Sequence, residues 1–241
     1  MTPDRIAVVL SRPSHAGNVG SSARALKTMG FGRLRLVAGP PIDADARALA
    51  AGGLDVLEGS VRYETHDRAI ADCVLAVGFT ARTRGLSHPV AAIRDLAAPI
   101  LEAAERGTVA LVFGNETSGL SNEELGFCQA IATIPSSAEY PSLNLAAAVQ
   151  IACYEVAVAR AAHAPRQASA HEPATGEDLE KLFAHFESAM RASGYLDPRR
   201  PGRLMERLRR LFARARLERP EVKALRGMLE AFEKRMRPPR G

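Results

Sequence analysis

Short apolar runs alternate with helix-like stretches over about the first 160 residues, and this alternation narrows the fold more than any other feature of the chain. Strands that alternate with helices form a parallel sheet with helices on both faces, so the pattern predicts an α/β fold. The predicted strands are 6–10, 34–37, 74–77, 109–113 and 130–134. The predicted helices are 19–29, 44–51, 67–71, 90–105 and 143–162.

Two local signals support this assignment. Gly30 follows the first predicted helix and is expected to end it. Ser121 and Glu124 have the spacing of a capping box, which predicts a further helix start between two of the strands.

A polar stretch without periodicity, 165–176, separates this part of the chain from the rest. We interpret it as a linker between an α/β domain of residues 1–164 and a small all-helical extension of residues 177–241. Helices are predicted in the extension near 177–191, 203–215 and 221–236.

Positive charge is concentrated at the end of the chain. Residues 191–241 hold 16 Lys and Arg against 6 Asp and Glu, which leaves 16 basic and 21 acidic residues in the first 190. A solvated cationic face is the simplest interpretation of such a run. Aromatic residues make up only 5% of the chain, so single-stranded bases would find few stacking partners. A structured polyphosphate such as folded RNA is therefore the favoured partner.

The helix predicted over 203–215 carries two stripes at helical spacing, one apolar and one basic. We expect the apolar stripe to pack on the protein and the basic one to meet RNA. The apolar stripe is Leu204, Leu208, Leu211, Phe212 and Ala215, and the basic stripe is Arg203, Arg207, Arg210 and Arg214. Arg207, Arg210 and Arg214 are the predicted RNA-binding residues.

Membrane and metal sites are not expected. No apolar run approaches the length needed to span a bilayer, and the N-terminus lacks an export pattern, which indicates a cytoplasmic protein. Cys73, Cys128 and Cys153 lie far apart and without His or Cys at ligand spacing, so we expect reduced core thiols.

Other enzyme classes fit poorly. Residues 17–20 superficially resemble a dinucleotide loop, but the glycine spacing is wrong and 37–41 lacks the acidic residue that would hold a ribose. The chain has neither the Gly-Lys-Ser/Thr sequence of a P-loop nor the nucleophile elbow of acyl-transfer enzymes.

Three polar segments carry the strongest functional signal. Residues 15–25 and 112–120 are Gly-containing polar segments that follow or end an apolar run, and residues 141–149 lead from a Ser-Leu-Asn cluster into an Ala-rich helix. In order and spacing they resemble the motifs of the SpoU branch of the SPOUT RNA methyltransferases. The resemblance covers about residues 5–162, and 204–212 and 225–227 are also similar to tRNA-modifying members.

The resemblance implies a trefoil knot in the C-terminal part of the α/β domain and a homodimer. It further implies 2′-O-methylation of the pyrimidine at tRNA position 32, with S-adenosylmethionine as donor and no metal. A sulfonium methyl needs no metal activation, so the protein has to bind the donor, align the ribose oxygen and assist with its proton.

Site residues follow from the same resemblance. The catalytic set is Arg24, Ser142, Asn18, Glu116 and Asn144. The donor contacts are Phe79, Thr80, Ala81, Gly114, Ile134, Ser142 and Leu143. Gly114 and Gly119 would let backbone approach the donor closely. Family members usually have a small or hydroxylated residue at the position of Phe79, where only a backbone contact would survive.

Arg24 has two possible roles, since a guanidinium keeps its proton up to a pKa of about 12.5. It either holds the phosphate beside the target ribose or accepts a proton transiently. The structural alternatives are an Arg24–Glu116 pair that pins helix to loop, and Asn144 as a helix cap only.

Two alternatives to the implied activity remain. The chain could be an RNA-binding module with a degenerate site, against which the intact catalytic set argues, or a SpoU enzyme acting on another tRNA or rRNA ribose.

Overall fold

Seven parallel strands form one sheet in the computed structural model, which describes residues 5–81, 90–137, 139–162, 172–197 and 203–236. The strands lie in the order β3-β2-β1-β6-β4-β7-β5, and each neighbouring pair is parallel. Their bounds are β1 Ile6–Ser11, β2 Arg33–Val37, β3 Val61–Tyr63, β4 Cys73–Phe79, β5 Val90–Ala92, β6 Thr108–Phe113 and β7 Ala130–Thr133. The predicted α/β class and its five strands are confirmed.

Helices cover both faces of the sheet. Val8 and Leu10 of β1 face one hydrophobic core, whereas Val9 between them faces a second one. Alternate residues of a strand point to opposite faces, so both faces of this sheet are buried. The helices of this part are α1 Ala16–Thr28, α2 Ala44–Ala50, α3 Leu54–Glu58, α4 His66–Ile70, α5 Ile93–Arg106, α6 Asn122–Gly126 and α7 Leu145–Ala162.

Several predicted boundaries move. Residues 90–92, assigned to a helix from the sequence, form strand β5 because they pair with residues 131–133 of β7. Helix α1 begins at Ala16, three residues earlier than predicted, and α7 begins at Leu145, two residues later. Gly30 follows α1 with a φ of +74°, a conformation that favours glycine, and the capping box at Ser121 is present.

The three cysteines are free and buried, as expected. Burial raises the pKa of Cys73 and of Cys153 to about 12 and also raises that of Cys128. All three therefore remain protonated thiols at neutral pH.

Helix α7 corrects one expectation. It has 18 residues of apolar composition and is long enough to cross a membrane, whereas the sequence predicted no run of that length. Length and composition alone do not separate a span from a core helix. Here Val149, Cys153 and Val156 are fully buried in the core that α7 shares with α1 and α5.

Helices α8 Gly176–Ala192, α9 Leu204–Ala215 and α10 Arg219–Met236 surround a third core centred on Leu182 and Phe183. The end of the stretch interpreted as a linker is ordered, because Ala174 is buried in this core and Thr175 caps α8. Residues 163–171 lie outside the described residues. The trefoil knot stays a prediction.

The apolar stripe of α9 is only partly correct. Leu211 is 50% exposed and Ala215 is exposed, whereas Met205 and Phe212 pack against the third core. The buried face of α9 differs from the predicted one because Phe212 packs against the rings of Phe183 and Phe186 on α8.

Candidate active site

A cleft of about 520 Å³ opens where β4, β6 and β7 end, at the carboxyl edge of the sheet. Ligands of parallel α/β sheets bind at this edge, and the volume is that of a small-molecule site. Glu116 lines this cleft. So do all seven residues predicted to contact the donor, which are Phe79, Thr80, Ala81, Gly114, Ile134, Ser142 and Leu143.

The loop after β6 forms one wall and has no room for a side chain at its start. A Cβ on Gly114 would lie 2.2 Å from the backbone of Gly119 and Leu120. Gly119 has a φ of +70°, and its N–H donates to the carbonyl of Asn115 at 2.8 Å. Both glycines are thus required by the loop's own turn, a reason different from the predicted close approach to the donor.

Phe79 is 7% exposed, and its ring stacks on Phe113 with centroids 4.3 Å apart. The side chain belongs to the core. Because the ring is taken up in this stack, Phe79 can offer the cleft mainly its backbone and the adjoining ring surface.

Three predicted catalytic residues form one hydrogen-bonded line beside the cleft. Asn18 donates from Nδ2 to Glu116 Oε1 at 2.9 Å, and Asn144 donates from Nδ2 to Asn18 Oδ1 at 2.9 Å. Each residue comes from a different one of the three motif segments. The line therefore joins segments that are distant in sequence, since Glu116 lies 98 residues and Asn144 lies 126 residues from Asn18.

Glu116 also caps helix α1. Its carboxylate accepts hydrogen bonds from the N–H of Ser14 at 2.7 Å and of His15 at 3.4 Å, and His15 provides no side-chain cap of its own. Burial raises the pKa of Glu116, but the hydrogen bonds from Asn18 and these backbone groups outweigh it, so the pKa lies below its ordinary value. The carboxylate is charged at neutral pH and suits the positive end of the helix.

Asn144 serves as a cap in addition to its bond with Asn18. Its Oδ1 accepts from the N–H of Ala146 at 2.9 Å and of Ala147 at 3.3 Å, at the start of α7. Capping holds its side chain in place, so its amide N–H points at Asn18 in a defined direction. Ser142, two residues earlier, is exposed and lines the cleft.

Arg24 stands apart from this line. It is exposed on α1, six residues or about one and two-thirds turns from Asn18, and so lies on a different side of the helix. In the part of the chain that the structure describes, Glu116 accepts hydrogen bonds from Asn18, Ser14 and His15, and not from Arg24. Within the described residues Arg24 does not line the cleft of its own chain.

Two positioning side chains were missed from the sequence. Asn115 donates to Arg12 O at 2.8 Å and to Ser14 Oγ at 2.6 Å, while its Oδ1 accepts from Thr117 N at 2.9 Å. An Asn inside a Gly-containing turn is a signal for such a role.

Glu124 is the other. Besides its capping bond, its carboxylate accepts from Ser11 Oγ at 2.5 Å and from Arg12 Nη2 at 2.6 Å, which ties α6 to the end of β1. Asn122 and Leu125 of α6 line the cleft, so Glu124 helps to hold that wall.

The predicted RNA-binding residues Arg207, Arg210 and Arg214 are all exposed on α9, as is Arg203 before it. Arg209, within the same run, is turned inward. Its guanidinium lies over the rings of Phe183 and Phe127, at 4.5 and 5.5 Å from their centroids.

Comparison with known proteins agrees with this arrangement. The SpoU rRNA Methylase family matches residues 5–154, and the C-terminal domain of the tRNA methyltransferase TrmJ matches residues 177–241. The chain belongs to the SpoU methylase family.

Among SpoU relatives, a protein of Yersinia pestis (strain Pestoides F) named tRNA (cytidine/uridine-2′-O-)-methyltransferase TrmJ is 45% identical over 236 residues, or 95% of this chain and 91% of its own. The crystal structure of TrmJ from Z. mobilis ZM4 superposes with a TM-score of 0.82 at 32% identity, over 94% of this chain and 98% of that one.

The SpoU methyltransferase AviRb from Streptomyces viridochromogenes, solved in complex with the cofactor AdoMet, shares the fold. Its TM-score is 0.55 at 24% identity, over 68% of this chain and 63% of its own. Within the described ranges of this SpoU protein, no group of three or more His, Cys, Asp or Glu is placed to hold a metal ion.

Proposed function

We propose that the chain is an S-adenosylmethionine-dependent tRNA (cytidine/uridine-2′-O-)-methyltransferase that modifies position 32 of the anticodon loop. The reaction follows the names of the TrmJ relatives, and position 32 rests on the motif resemblance. The observation that carries the proposal is the line Glu116–Asn18–Asn144 beside a cleft lined by all seven predicted donor contacts.

The cleft suits the donor chemically. Its apolar side, with Leu125, Ile134 and Leu145, can cover a flat purine, and its loop after β6 offers polar backbone groups. When bound, S-adenosylmethionine supplies a methyl group already activated on a sulfonium. We assign donor binding to the seven predicted contacts among the lining residues, and to no metal.

The protein's own residues orient the target. Glu116 remains a carboxylate held by Asn18 and by the start of α1, so it fixes the amides of the line rather than titrating near neutral pH. We assign the contact with the ribose to Ser142, which lines the cleft. We assign to Arg24 the binding of the phosphate beside the target ribose, which draws the hydroxyl towards the donor.

The site is completed by a homodimer. We infer that a second chain brings its Arg24 to the cleft, because Arg24 does not line the cleft of its own chain. Helix α7 shows an apolar stripe of half-buried Ala147 and Ile151 with exposed Tyr154 and Val158, at 52% and 49% exposure. This stripe lies on the helix that packs beside α1, and it is the surface on which we place the partner.

The two parts of the chain divide the work. We assign methyl transfer to residues 1–164, RNA binding to residues 177–241 and a linking role to residues 165–176. The exposed arginines of α9 support this division. We propose a cytoplasmic location, since tRNA is the proposed substrate.

Incubation of the protein with unmodified bulk tRNA and labelled S-adenosylmethionine is expected to yield a 2′-O-methylated pyrimidine at position 32. Nucleoside analysis and mapping of the labelled fragment check this. Base-methylated products alone would contradict the proposal, label at another ribose would favour a different SpoU specificity, and tRNA binding without product would favour the non-catalytic module.

Replacing Arg207, Arg210 and Arg214 together with alanine is expected to weaken tRNA binding and to reduce its salt dependence. Each lost phosphate contact removes roughly one unit from the slope of log K against log salt. Lys181→Ala, an exposed cation on α8 paired with Glu177, is the control. Titrations at several salt concentrations measure the effect, and an unchanged slope in the triple variant would assign α9 another role.

A further inference from the structure

We propose that Arg209 is a positioning residue that fixes the basic helix α9 on the α/β domain, residues 1–164, which we call the catalytic unit. Unlike the neighbouring arginines of α9, it is not an RNA ligand. This rests on the proposed function. It assigns to one arginine of the run a task opposite to that of Arg207, Arg210 and Arg214.

The guanidinium of Arg209 is held by other side chains of the protein. The guanidinium lies over the rings of Phe183 at 4.5 Å and Phe127 at 5.5 Å, and its Nη2 donates to Glu180 Oε2 at 2.7 Å. Its side chain is 25% exposed. A planar guanidinium can stack on two rings and pair with a carboxylate at once, which an ammonium cannot do.

The contacts of Arg209 cross from one unit to the other. Phe183 and Glu180 belong to α8, whereas Phe127 ends α6 in the catalytic unit. The same junction contains an ion pair between Arg106 and Glu218 at 2.7 Å and a hydrogen bond from Glu177 N to Ala71 O at 3.0 Å. Gly176 lies so close to Ile70 that an added Cβ would be 2.9 Å from its carbonyl oxygen.

These contacts set the direction in which the basic face of α9 points. Arg209 and Arg210 are adjacent, so inward docking of Arg209 turns Arg210 outward by about 100° around the helix. Loosening the junction would leave the cations on α9 and disturb only their alignment with the catalytic cleft. Bound tRNA would then be presented in many orientations, and small misplacement of reacting groups is costly to rate.

The donor cleft should not depend on this junction. Helix α6 has a second attachment through Glu124, whose carboxylate accepts from Ser11, Arg12 and Ser121. Loss of the Arg209 contact therefore leaves the wall that Asn122 and Leu125 contribute.

Arg209→Lys in the full-length protein tests the proposal, because it keeps the charge and loses the planar fork. We expect kcat for tRNA methylation to fall roughly tenfold, whereas the tRNA Kd, its salt slope and the S-adenosylmethionine Kd stay within about twofold. Arg209→Met, which removes the charge, should also leave the salt slope unchanged, whereas Arg210→Ala one residue away should lower it. Phe127→Leu should reduce kcat in the same way, and the double variant should lose little more.

Glu180→Gln is the control for unfolding of the helices by Arg209→Lys. It weakens one contact of Arg209 and leaves Arg209 and both rings in place. It should lower kcat less than Arg209→Lys, again with an unchanged salt slope. Wild-type kcat in Arg209→Lys, or a salt slope lowered in Arg209→Met as in Arg210→Ala, would overturn the proposal. Failure of the proposed function would show differently, as absence of product from the wild-type protein.

Discussion

Arg24→Ala and Ser142→Trp are each expected to abolish methyl transfer, and a mixture of the two proteins is expected to regain activity. Arg24 is exposed and outside its own cleft, whereas Ser142 lines the cleft and has space for a larger side chain that would block it. In a mixed dimer, the cleft of the Arg24→Ala chain faces the intact arginine of the other chain. Random exchange at equal amounts restores roughly a quarter of the wild-type sites, because half of the dimers are mixed and each has one complete site.

Subunit exchange is measured by native mass, and activity by labelled methyl transfer to tRNA. Each variant incubated alone is the control, and both should stay at background. Mixed dimers without activity would show that Arg24 serves its own chain or has no part in the reaction.

Gly114→Ala is expected to destroy donor binding and to destabilise the protein by about 2–3 kcal/mol. Its Cβ would lie 2.2 Å from the backbone of Gly119 and Leu120, and backbone cannot move away as a flexible side chain can. The loop that forms the cleft wall therefore has to shift. We expect the affinity for S-adenosylmethionine, measured by calorimetry, to fall by at least roughly a hundredfold, or about 2.7 kcal/mol.

Gly126→Ala is the matched control, because an added Cβ there meets nothing within 4 Å. It should bind the donor like the wild-type protein and unfold within about 0.5 kcal/mol of it. Equal behaviour of the two variants in thermal unfolding and donor titration would show that the packing at Gly114 is not needed for the cleft.

Local patterns predicted the parts of the fold that depend on neighbours in sequence. The five predicted strands, the end of α1 at Gly30 and the capping box of Ser121 and Glu124 are confirmed, because each is decided within a few residues. The seven donor contacts were predicted from motif resemblance, and these seven residues line one cleft.

Contacts across the chain decided the rest. Residues 90–92 look helical by themselves and become a strand because residues 131–133 offer backbone partners. Glu124 caps its own helix, as its sequence spacing indicates, but its bonds to Ser11 and Arg12 reach 113 and 112 residues back along the chain.

The run of arginines on α9 shows the same division. Composition and spacing determined that this segment is a basic amphipathic helix, because charge and periodicity are properties of the sequence itself. Helical spacing left Arg209 out of the predicted basic stripe, but only the tertiary structure shows what Arg209 contacts, because the rings that hold it come from α8 and from the end of α6. The identity of a side chain sets which interactions it can make, and the packing of distant segments decides which of them it does make.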